Sequence, residues 1–144
     1  MALGLALILA TSTAAAALPL NPDVSQGTIQ QTICRPGYSA TVRPSTTYTN
    51  AIKRRLMAEQ GFPTSEIGEY ALDHHLAIAL GGHPRSLGNL QLLSKHDNAR
   101  KSRIEVKLLC YVCTGAMPLE QAQAEVWADW TGTYHRYARQ KCRR

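Results

Sequence analysis

Asp73-His74-His75-Leu76-Ala77, then Gly81-Gly82, then Gly88-Asn89-Leu90-Gln91-Leu92-Leu93-Ser94, then His96-Asp97-Asn98-Ala99-Arg100-Lys101 is the stretch that decides how this chain is read. From Tyr70 to Ile78 the chain looks extended. Gly81-Gly82 marks a turn, and a polar loop runs on to Gly88. Asn89 to Leu93 is short, apolar and alternating, which predicts a second strand. Ser94 is a good helix cap, and Ile104, Leu108 and Val112 recur at four-residue steps. The helix it opens is predicted to end near Cys113, with Gly115 as its stop signal.

Polar chemistry is dense in this segment. A hairpin can set its first strand beside the start of the next helix, bringing Asp73 and Asn98 within a few ångströms. Those two side chains offer oxygen ligands to a hard cation such as Mg²⁺. A neighbouring histidine could take a proton from water. In a regular strand Asp73 and His75 share a face and His74 points away, so either histidine is open as the base. A bulge or strand end at this point would favour His74.

Outside this segment, one helix is predicted from Thr49 to Gln60, capped by Thr47 or Thr49 and stopped by Gly61 and Pro63. Another follows Pro118, with Ala122, Val126, Trp127, Trp130, Tyr134 and Tyr137 striping one side as a core face. Residues 18–46, rich in Pro, Ser and Thr, are expected to be an irregular lead-in tied down by Cys34. No internal repeat is present.

With 44% hydrophobic and 18% charged residues, the composition is that of a folded domain rather than a disordered chain. Its 144 residues suffice for one domain, and the net charge of +6 favours a polyanionic partner. Leu3 to Ala10 is apolar and is followed by small residues. That run is too short to span a bilayer but matches a signal-peptide core, although no Lys or Arg precedes it. Residues 1–17 are therefore expected to be a signal peptide and the protein exported, with no membrane span after its removal. Four cysteines remain: Cys34, Cys110, Cys113 and Cys142. A structural zinc site wants four ligands, and no second Cys-x-x-Cys or closely spaced Cys-His pair accompanies Cys110 and Cys113. Disulfides are expected, in any of three pairings.

The segment from Asp73 to Lys101 resembles the HNH nucleases. Asp73-His74 matches their ligand–base pair, Gly88-Asn89-Leu90-Gln91-Leu92-Leu93 their second-strand signature, and Asn98 their final metal ligand, followed by Lys101. The Pro usual three residues after the base is absent, Ala77 standing in its place, and the final ligand is Asn rather than His, which suits Mg²⁺ better than Zn²⁺. Cys34-Arg35-Pro36-Gly37-Tyr38, the later Thr-Val-Arg-Pro, and Val112-Cys113-Thr114-Gly115 are similar to a group of small exported bacterial HNH-like proteins. The resemblance implies an α+β, mostly helical fold: a ββα-metal hairpin-plus-helix unit packed with additional helices over residues 47–144. It implies Mg²⁺ or Mn²⁺ held by Asp73 and Asn98, with His74 as general base and Asn89 orienting it or pinning the loop. Nucleic acid, DNA before RNA, would be the substrate, its backbone held by Arg100, Lys101 and Arg103. It further implies that Cys34 pairs with Cys113, leaving Cys110 to pair with Cys142 or stay free. Arg136, Arg139, Lys141, Arg143 and Arg144 form a basic tail, either a phosphate contact or a charged terminus. The competing reading is an inactive nucleic-acid-binding or interaction module on the same scaffold.

Overall fold

The computed structural model describes residues 17–142. The expected signal peptide, apart from Ala17, and the last two arginines of the basic tail lie outside the described residues. The fold is α+β: the described residues form four α-helices, three single-turn 3-10 helices and one two-stranded antiparallel sheet, the main elements in the order α1 (Tyr38–Val42), α2 (Thr46–Glu59), β1 (Tyr70–His74), β2 (Leu90–Ser94), α3 (Lys95–Cys113) and α4 (Leu119–Tyr137). About half of it is helical. β1 pairs with β2 in a register that sets Asp73 opposite Gln91 and His74 opposite Leu90. α3 begins at the residue after β2 ends, so the hairpin and the helix form one continuous unit.

That junction is made by Ser94, whose hydroxyl accepts from the Asp97 amide at 3.0 Å. It satisfies one of the orphan donors of the first turn. At the other end Gly115 takes φ +76°, as a stop signal should. Ile104, Leu108 and Val112 are buried along one side of α3, facing Ala122 and Val126 of α4. Each such aliphatic side chain contributes about 1.5–3 kcal/mol by burial.

Two expectations are corrected. α2 begins at Thr46, not Thr49, and its cap is Ser45, whose hydroxyl accepts from the Tyr48 amide. Its extended φ of −62° and ψ of 153° suit the capping position. The lead-in is tied down at Cys34 by its bond to Cys113, and it also reaches the core through Val24, Ile29 and Ile33, with Leu20 bridging to Gly82. The aromatic stripe of α4 is not one straight face. Asp129 breaks the helical path (φ −163°, ψ 83°), and its carboxylate accepts from the Gly132 amide at 2.9 Å, capping the segment that follows. Trp127, Trp130, Tyr134 and Tyr137 still pack against the core.

Cys34 is bonded to Cys113 and Cys110 to Cys142. Among the described residues no helix is long and apolar enough to cross a membrane.

Candidate active site

β1 ends at His74, and this strand end resolves the problem of faces. Asp73 and His74 both border a cavity of about 270 Å³, together with Asn98 from α3 and Arg43 from the end of α1. His75 goes elsewhere: its ring stacks on Trp127 of α4 with centroids 4.1 Å apart.

His74 is 9% exposed, and its Nε2 lies 2.9 Å from the Pro84 carbonyl. A carbonyl only accepts, so Nε2 carries the proton and Nδ1 keeps its lone pair. Burial is the main cause holding the imidazole pKa below its ordinary value. The Pro84 bond and Asp73 oppose it, while Arg43 and Lys101 add to it. The ring is thus fixed in one orientation and kept neutral, the state a general base needs. Burial and then Lys101 depress His75 in the same direction.

Asn89 is fully buried and pins the loop. Its Oδ1 accepts from the Leu76 amide at 2.8 Å, and its Nδ2 donates to the Leu76 and His83 carbonyls at 2.9 and 3.0 Å. Its own carbonyl accepts from His75 N at 2.7 Å. Of its two expected roles its hydrogen bonds fit the second: none goes to His74, and they hold the loop whose Pro84 carbonyl accepts from His74. Gly82 completes the clamp, since a Cβ there would overlap the Leu76 carbonyl and meet Asn89 Nδ2 at 2.8 Å.

Lys101 overturns its expected role. It is fully buried, and its ammonium donates to the His74 carbonyl at 2.7 Å while pairing with Asp73 Oδ2 at 3.0 Å and with Glu105. A lysine has three donors, and all three are spent inside the protein. It cannot hold a phosphate. Its place is structural, a cation between two carboxylates beneath the cavity.

Arg100 and Arg103 are also displaced from the site. They lie roughly 160° and 140° round α3 from Asn98 at 3.6 residues per turn. Arg100 sits over the rings of Tyr134 and Trp130 at 4.8 and 5.8 Å and pairs with Asp97. Arg103 is exposed beside Cys110 and Cys142. Arg136 pairs with Glu125.

Two site residues escaped the sequence reading. Arg43 borders the cavity, and only its place in a Thr-Val-Arg-Pro stretch singled it out. Glu105 borders it too, and its one signal was the four-residue spacing from Lys101. Burial raises the Glu105 pKa from 4.5 to about 7, with Lys101 opposing and Asp73 adding to the rise. A carboxyl whose pKa is higher folded than unfolded binds more protons in the folded state between those values, so its contribution to stability falls as pH rises through that window. Urea unfolding is expected to show stability declining from about pH 4.5 to 7 relative to Glu105→Gln, in which this contribution is flat. A difference constant across that range would contradict the assignment.

Comparison with protein families, with curated proteins and with solved structures found no match to this chain.

The donor set limits what ion the cavity could take. Among the described residues no three His, Cys, Asp or Glu side chains converge on one point. A zinc centre would want three or four such ligands. Asp73 Oδ2 accepts from Lys101 and from Gln91 Nε2 at 3.1 Å, while Oδ1 has no hydrogen-bond partner among the described residues. Asp73 and Asn98 both border the cavity, and their side-chain oxygens are hard donors. They fit an ion that keeps several waters and takes substrate phosphate oxygens, as Mg²⁺ does.

Proposed function

We propose that this protein is an exported, metal-dependent nuclease of the HNH, ββα-metal type, hydrolysing phosphodiester bonds of nucleic acid, DNA before RNA. The observation that carries the reading is the convergence of Asp73, His74 and Asn98 on one cavity where the hairpin meets α3, with His74 held neutral and its Nδ1 lone pair available. His74 takes a proton at Nδ1 from the water that attacks phosphorus. Its Nε2–H goes on donating to the Pro84 carbonyl, so the ring keeps its orientation through the transfer. Asp73 and Asn98 would hold Mg²⁺ or Mn²⁺, and the ion, when bound, supplies positive charge to the leaving oxygen. Lys101 keeps Asp73 in place from below, and Asn89 keeps the Pro84 loop in place from above. The two disulfides support export, since such bonds persist in oxidising compartments.

Metal dependence is the first test. Plasmid nicking is expected in Mg²⁺ or Mn²⁺ and is expected to stop in excess chelator. Mn²⁺ binding by calorimetry should weaken more for Asp73→Ala than for Asn98→Ala, because a carboxylate holds a cation more strongly than an amide oxygen. Full cutting in chelator would remove the metal from the reading. The Lys101 ammonium already on Asp73 favours a second reading, a module that binds nucleic acid without cutting it. Binding without nicking in either metal would select it.

A further inference from the structure

We infer that a nucleic-acid backbone crosses the molecule along a line of cavities meeting at Arg43, and that Arg43, with Arg35 further along, takes its phosphates. The polyanion's identity rests on the nuclease reading above. Arg43 follows α1 and precedes Pro44, so its backbone is extended (φ −64°, ψ 133°). The side chain is exposed and, among the described residues, has no ion-pair or hydrogen-bond partner. An unpartnered guanidinium beside a phosphodiester site is a planar fork suited to two phosphate oxygens at once.

Three cavities border Arg43. One is the 270 Å³ cavity of Asp73, His74 and Asn98. A second, of about 250 Å³, lies between β1 and the first turns of α2, where Thr46 and Asn50 offer a hydroxyl and an amide donor. His74 and Leu72 border both, so the candidate base stands between them. The third and largest, about 790 Å³, runs past the Cys34–Cys113 disulfide and carries Tyr38 and the exposed Arg35. A strand laid through these cavities passes His74 with Arg43 at the crossing. The cations of α3 are elsewhere: Lys101 is saturated by protein oxygens, Arg100 sits over aromatic rings, and Arg103 is on the far side of the helix.

Each phosphate contact made by a protein cation releases counterions, so its loss lowers the salt dependence of binding, which a purely structural residue does not. The test is fluorescence anisotropy of a labelled DNA duplex with the full chain, in chelator, across a salt series. Arg43→Ala is expected to weaken binding by about tenfold or more and to reduce the slope of log affinity against log salt by about one. Arg35→Ala should lower the slope likewise. Arg43→Lys should keep the slope while losing part of the affinity, and Arg103→Ala should change neither. An unchanged slope for Arg43→Ala, or a lowered one for Arg103→Ala, overturns the route. Wild-type protein that binds no DNA overturns both the route and the nuclease. An Arg43-dependent slope in a protein that does not nick leaves the route standing and removes only the nuclease.

Discussion

Replacing Lys101 with Met is expected to destabilise the fold by about 3–5 kcal/mol, because it leaves Asp73 and Glu105 buried or nearly so without the cation between them. The side chain is fully enclosed, so water cannot take over the lost charge. Methionine has nearly the right length, which confines the loss to electrostatics and hydrogen bonds. Small domains are stable by about 5–15 kcal/mol in all, so a change of this size is easily read in urea unfolding. Adding Glu105→Gln to Lys101→Met removes one of the two stranded carboxylates and should restore a large part of the loss. A single variant within about 1 kcal/mol of wild type, below the cost of breaking a buried pair, would show that the ammonium is not sealed between the carboxylates.

The second large effect belongs to the disulfides. Cys34 and Cys113 are 79 residues apart, and Cys110 and Cys142 are 32 apart. On loop-closure entropy the longer loop is worth about 4.5 kcal/mol and the shorter about 3.7 kcal/mol. The longer loop encloses α1, α2, the hairpin and nearly all of α3. Cys34→Ser with Cys113→Ser is therefore expected to cost more than Cys110→Ser with Cys142→Ser, and full reduction should leave little folded protein at body temperature. A melting temperature that survives reduction unchanged would contradict this, and would weaken the case for export.

The legible parts of the fold were those with a local signal. The β1–β2–α3 unit carries alternation, a capping serine, a four-residue core stripe and a stopping glycine, and all lie within its own residues. The N-terminal segment carries none of these. Val24, Ile29 and Ile33 reach the core from a chain of turns in which polar side chains satisfy the backbone, as when Thr28 Oγ1 donates to the Asp23 carbonyl at 2.9 Å. Such structure has no period to read. The break at Asp129 was hidden because an Asp capping a new turn looks, in sequence, like one more polar residue on a helix. In the candidate site, Asp73, His74, Asn89 and Asn98 could be nominated from their spacing. Lys101 was misread because a lysine beside a proposed metal ligand is equally suited to a phosphate and to a buried carboxylate pair. Only its neighbours in space distinguish the two, and Glu105 is one of them. Arg43 went unassigned because it sits outside the hairpin and reaches the cavity from α1, a contact across the fold rather than along the chain.

The central claim is that His74 is the base of a phosphodiester-cutting site, and it is tested most directly by nicking of supercoiled DNA in Mg²⁺ by wild type, His74→Ala and His75→Ala. Loss of a general base lowers rate by about 10²–10⁴-fold, so His74→Ala is expected to fall by at least about 100-fold while keeping its fold and its affinity for DNA. His75→Ala, whose ring packs on Trp127 away from the cavity, is expected to go on cutting. A His74→Ala protein that nicks as fast as wild type, or an active His74→Ala beside a dead His75→Ala, would contradict the account.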